Sequence, residues 1–157
     1  MPSDLVATKG GETSNCYCTL NETDEYLDNL YGAEEWAELD DNTKRRLILT
    51  ATRQIDGFKT KLGKLASTQL RNFPVNDTGD DGFAQAKEAN IIQALFIFQT
   101  SDTVNEARIG GIQGVSSETI GPTNKSVIGF NQYRMMHPNV FSLLAPYVEF
   151  VPKLKRA

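Results

Sequence analysis

Cys16 and Cys18 stand one residue apart in the stretch NCYCTLNETDEYL, with Tyr17 between them. Two thiols so close are the residue types of a metal or redox site. In an extended segment, residues i and i+2 point the same way, so both thiols would face one side and Tyr17 the other. A structural zinc takes four ligands, usually two pairs of Cys or His. The chain has only these two cysteines and one histidine, His137, more than a hundred residues further on. A Cys16–Cys18 disulfide would close a small strained ring. No secretory leader pattern opens the sequence to favour one. The expectation is two small half-buried hydrophobes on a short extended segment.

Other chemistry is equally thin. His137 lies between Met136 and Pro138, and spacing ties no acid or nucleophile to it. It reads as a helix-start residue. Asp80 and Asp81 lie between Gly79 and Gly82, but the D-x-D-x-D-G spacing and closing Glu of a calcium loop are missing, so a surface turn is expected. Gly110, Gly111 and Gly114 follow no strand-then-helix pattern, and no phosphate loop, G-x-S-x-G or H-E-x-x-H occurs. No enzyme, metal or cofactor is expected.

The elements that would position any site come next. The chain of 157 residues is the size of one domain. The most apolar run, IIQALFIF (91–98), is too short to span a bilayer. A soluble protein on the cytosolic side is expected. The net charge of −4 argues against a dedicated duplex-DNA binder. Charge is segregated: 10–43 holds ten acids and no base, while 44–71 holds eight bases and one acid, Asp56. Such blocks form solvated faces, or let an acidic face of one copy meet a basic face of the next.

The fold class read from the pattern is mainly α: a small helical bundle with an inserted β-hairpin and extended N- and C-terminal arms. Residues 1–15 read as a flexible arm, 16–107 as a helical core, 108–131 as the hairpin insertion, 132–147 as the last helix and 148–157 as an extended basic tail. Asn21 before Glu22, Thr23 and Asp24 predicts a capped helix start. Tyr26, Leu27, Leu30 and Tyr31 continue it at helical spacing to a stop at Gly32. Trp36 falls in a second short turn, and Asp40, Asp41 or Asn42 caps the next helix. There Leu47, Ile48, Ala51 and Ile55 form one stripe, ended by Gly57. Residues 57–83 read as a long connection with a tight turn at Gly79–Gly82. The helix from Phe83 to Val104 is apolar nearly all round over 91–98 and should be central. Two short strands fit near Ile112–Ile120 and Ser126–Phe130. Pro138 opens the last helix, which Pro146 disturbs. The arm, the Gly-rich hairpin and the basic tail are candidate docking elements, which points to assembly.

Several of these segments together resemble a family. NCYCTLNETDEYLDNL resembles the N-S-Y-x-x-x-x-E-A-D-x-Y-L opening of tailed-phage head–tail connector (adaptor) proteins, also described as DnaT-like single-stranded-DNA-binding proteins. RRLILTATRQID resembles A-L-I-x-A-T-x-x-I-D. TQLRNFP (68–74) resembles Q-x-L-x-F/W-P-R. GVSSETIG (114–121) is similar to G-V-x-S-E-x-I-G, which precedes a final helix ending near L-L-x-x-Y, here Leu143, Leu144 and Tyr147. The likeness spans 15–147 in order. It departs at Thr23, in place of Ala, and at Val75, where Arg often stands.

The resemblance implies a ring, commonly of twelve copies, beneath the portal of a filled capsid. DNA passes through it without sequence-specific contact, and a stopper or tail-completion protein docks below. It places the chain in the virion neck, and in the host cytoplasm during assembly, with no membrane role. Its portal- or ring-docking candidates are Gly114, Val115, Ser116, Ser117, Glu118, Ile120, Gly121, Val151, Lys153, Leu154, Lys155 and Arg156. The charge blocks then either line an acidic lumen or pair across subunits, with Glu34, Glu35, Glu38, Lys44, Arg45 and Arg53 as the inter-subunit candidates. The alternative, a single-strand binder, needs a basic groove with stacked aromatics. Arg45, Arg46, Arg53, Lys59, Lys61, Lys64, Arg71 and Phe73 would supply it.

Overall fold

The computed structural model describes residues 3–112, 117–120, 123–126 and 136–149, with side chains over 3–101 and 136–149. Helix α1 covers Leu20–Asp28, a 3₁₀ turn follows at Glu34–Glu38, and α2 covers Asp41–Asp56. Helix α3 runs through Phe83–Ile112 and α4 through Pro138–Leu144. The chain is mainly α, as expected. The backbone of two four-residue segments, Ser117–Ile120 and Thr123–Ser126, lies antiparallel. No strand falls among the residues with described side chains. An isolated pair this short is marginal in water, and the expected inserted hairpin has no further support among the described residues. Ile112, expected in the first strand, ends α3 instead.

Helix α1 starts two residues earlier than the sequence suggested. Thr19, not Asn21, is the N-cap: its hydroxyl accepts from the Glu22 amide at 3.2 Å and Glu22 Oε2 accepts from the Thr19 amide at 2.8 Å. This reciprocal pair satisfies two amides that the helix leaves free. Thr23 is fully buried, and its hydroxyl donates to Thr19 O and Cys18 Sγ. The helix also stops before Leu30 and Tyr31, with Asn29 as C-cap. Those two side chains therefore leave the buried stripe, and Tyr31 is 98% exposed.

Asp40 caps α2, its carboxylate accepting from the Thr43 amide. The Thr43 hydroxyl and amide hold that carboxyl below its usual range. Along α2, Ile48, Ala51 and Ile55 are buried, as their spacing required. Helix α3 is the central element, packed on α1, α2 and α4. Helix α4 begins at Pro138 with His137 as N-cap, its Nδ1 accepting from the Asn139 amide. It runs antiparallel to α3: His137 N donates to Gln93 near one end, and Tyr147 meets Gly82 near the other.

The core lies in two clusters. One gathers Tyr17, Ile55, Phe58, Phe73, Val75 and Ala86 with α4; the other gathers Cys16, Cys18, Leu27, Trp36, Ile48 and Leu95. The segment 16–18 threads between them, thiols one way and Tyr17 the other. The alternation was legible, but the burial exceeds the half-buried expectation, since all three residues are 0% exposed.

The expected loose arm is a closed loop. Val6 N donates to Asn15 Oδ1, Ser14 Oγ to Val6 O and Asn15 Nδ2 to Asp4 O. Lys9 pairs with Asp81 at 2.6 Å, which helps hold the Asp81 carboxyl low. Leu5 and Ala7 pack on the second cluster. A run rich in Gly, Ser and Thr is thus held by side-chain-to-backbone bonds rather than by periodic structure.

Candidate functional site

The densest polar arrangement is built by three segments distant in sequence. Asp56, at the end of α2, accepts from the Tyr17 hydroxyl, from Arg71 at 2.8 Å and from the Asn72 amide at 3.4 Å. The Phe73 amide donates to the Tyr17 hydroxyl at 3.3 Å. Gln69 Nε2 donates to the carbonyls of Arg71 and Pro74, closing the turn that carries the cis Phe73–Pro74 peptide. Around it Tyr17, Phe73 and Tyr147 meet edge to face at about 6 Å. Burial, then the Asp56 carboxylate, push the Tyr17 phenol up, so it stays protonated and donates. The Tyr17 hydroxyl, both Asp56 oxygens and the Gln69 amide nitrogen are engaged inside the fold, so the group holds three segments together.

The thiols are similarly engaged. Cys16 Sγ donates to Cys18 O at 3.2 Å, and Cys18 Sγ donates to Asn90 Oδ1 at 3.4 Å. Both are free and buried. Burial pushes Cys16 up to about 11 and Cys18 to about 12. Thiols held protonated are poor nucleophiles and poor ligands. Among the described residues no group of three metal-binding side chains occurs.

A cleft of about 500 Å³ opens between the end of α1, α3 and α4, lined by Tyr26, Leu30, Tyr31, Glu88, Phe96 and His137 among others. Tyr26 donates to Glu88 at 2.8 Å; burial, then Glu88, raise its phenol to about 12. His137 stands edge-on to Phe96. His137 is thus a capping and packing residue, as expected.

The charged candidates divide. Glu34, Glu35, Glu38 and Arg53 are exposed. Arg45 pairs with Asp4 at 3.2 Å on the surface. Lys44 is turned inward: it is 7% exposed and donates to Asp24, which also accepts from the Trp36 indole at 2.8 Å. Lys44, expected to reach a neighbouring subunit, instead pairs with Asp24 within its own chain. Of the residues expected to form a single-strand groove, Phe73 is 1% exposed and cannot stack on a base, and Arg71 is paired with Asp56. Lys64 donates to the carbonyls of Gln69 and Leu70, while Arg46, Lys59 and Lys61 stay exposed. Of the docking candidates, Ser117, Glu118 and Ile120 lie in the first strand segment. Gly114, Val115, Ser116, Gly121, Val151, Lys153, Leu154, Lys155 and Arg156 lie outside the described residues.

Five large apolar side chains stand exposed among the described residues: Leu30 and Tyr31, then Leu62, Leu65 and Leu70. Sequence reasoning missed all five. The first two sat on a helical stripe that stops short, and the others sat in a segment without a period. The chain matches no protein-family model, no curated protein and no solved structure.

Proposed function

We propose that this chain is a structural subunit of a tailed-phage neck: a head–tail connector whose copies form a ring between the capsid portal and the tail or stopper, around the DNA channel. The observation that carries the reading is the Tyr17–Asp56–Arg71–Phe73 group. Tyr17, Asp56, Gln69, Phe73 and Pro74 belong to three separate motifs of the resemblance, and they contact one another or share partners. Motifs inherited with a fold should meet in this way, because each supplies part of one packing unit. Unrelated matches scattered over a chain have no reason to.

No catalysis is assigned. Residues 108–112 belong to α3, and Val148 and Glu149 are held by Thr60 and Lys59; the remainder of the hairpin insertion, 113–131, and of the basic tail, 150–157, would reach the portal or the next ring by adding extended segments to a partner's surface. Glu34, Glu35 and Glu38 lie either toward the channel, where like charge keeps DNA sliding, or against bases of a neighbour. The test is mass photometry of the purified protein alone and with candidate portal. A discrete multi-copy complex with portal is expected. No portal complex, with tight salt-sensitive binding to single-stranded DNA, would overturn the reading in favour of the nucleic-acid alternative.

A further inference from the structure

The exposed apolar side chains fall in two places of opposite charge. Leu30 is 38% and Tyr31 98% exposed. Around them in the chain Glu25, Asp28, Glu34, Glu35 and Glu38 are exposed, and none is ion-paired among the described residues. Leu62, Leu65 and Leu70 are 45%, 50% and 51% exposed. They share their loop with Lys59, Lys61 and Lys64. Lys59 pairs with Glu149, but the ammonium groups of Lys61 and Lys64 donate to backbone carbonyls, so their charge meets no carboxylate.

The two places lie far apart along α3, one beside its first turn and one beside its middle. Gly32 O accepts from Gln99 at 2.8 Å, which fixes the Leu30–Tyr31 turn beside that residue. Leu65 N donates to Pro74 O, and the adjoining Phe73 and Val75 pack with Ala86. Ala86 to Gln99 is on the order of 20 Å along a helix. One molecule cannot close the two patches on each other.

We propose that the acidic Leu30–Tyr31 patch of one copy docks on the basic Leu62–Leu65–Leu70 loop of a second copy. Apolar anchors inside a charged rim are how specific interfaces are built, and the opposite rims set which end meets which. Two different patches make the contact heterologous, so a joined pair keeps one free acidic and one free basic patch, and the chain of contacts either closes into a ring or grows. This rests on the multi-copy reading above and names the surfaces it uses.

Sedimentation velocity of the full chain, over a wide concentration range and at low and high salt, tests it. Wild type should self-associate, less so in high salt. Tyr31→Asp and Leu65→Asp should each weaken association about tenfold or more, as loss of a buried anchor does. Both sites are exposed, so both variants should keep wild-type circular dichroism. Mixed, the two should form a one-to-one dimer and nothing longer, because only one intact junction remains. Wild-type protein that stays monomeric at every concentration, or variants that associate like wild type, overturns the proposal. If both variants still assemble on portal at wild-type copy number, these surfaces are excluded and the connector reading stands. If the mixed dimer forms and portal is never bound, the surfaces stand and the connector reading falls.

Discussion

Tyr17 shows how a single hydroxyl can tie a fold together. It donates to Asp56 and accepts from the Phe73 amide inside an aromatic cluster. Tyr17→Phe leaves that amide without its acceptor and removes one donor from Asp56. Stability should drop by about 1–3 kcal/mol. Urea unfolding followed by the fluorescence of Trp36, the single and buried tryptophan, reads this directly. The thiols give a pH prediction. Their folded values, about 11 for Cys16 and about 12 for Cys18, lie above the ordinary 9.0. Above pH 9 the unfolded chain therefore releases protons that the folded chain keeps, and stability must fall as pH rises. The contribution is whole below pH 9.0 and fades toward 11 to 12. Urea midpoints should hold up to about pH 9 and then decline, and Cys16→Ser with Cys18→Ser should flatten that decline.

At the scale of elements, caps and turns decide boundaries. Thr19→Ala breaks the capping box and should cost about 1 kcal/mol. Asn21→Ala, on an exposed position of the first turn, should stay within about 0.5 kcal/mol. Comparing the two urea midpoints checks which residue starts α1. The turn before α3 depends on Gly82. Its φ is +69°, and a Cβ there would lie 2.9 Å from the Tyr147 ring and 3.1 Å from the Phe73 ring. Gly82→Ala combines backbone strain with overpacking and should destabilise by about 2 kcal/mol or more, visible as a lowered Tm.

At the scale of the molecule, the end of the helical body is set by contacts rather than by composition. Val148 is 1% exposed and bridges to Thr60, and Glu149 pairs with Lys59. Deleting 148–157 removes a buried valine and should cost about 1–3 kcal/mol. Deleting only 150–157 keeps those contacts and should spare the stability that they contribute, which a Tm comparison of the two deletions checks. Portal binding by the shorter deletion at wild-type affinity would exclude the tail from docking. The cut matters, because the longer deletion confounds docking with folding.

What the sequence alone determined was local and periodic. The apolar stripe of α2, the proline at the start of α4, the central helix over 91–98 and the opposed directions of Tyr17 and the two thiols follow from spacing and side-chain type. Tertiary structure decided what depends on distant partners. Lys44 looked like a surface charge until Asp24, shared with the Trp36 indole, drew it inward. Phe73 and Arg71 looked available until Tyr17 and Asp56 engaged them. The N-terminal arm looked loose until Asn15 and Ser14 closed it. Leu30 and Tyr31 kept their helical spacing but lost their burial when α1 stopped at Asp28. Periodicity reports which residues share a face; only the packed chain fixes whether that face is covered.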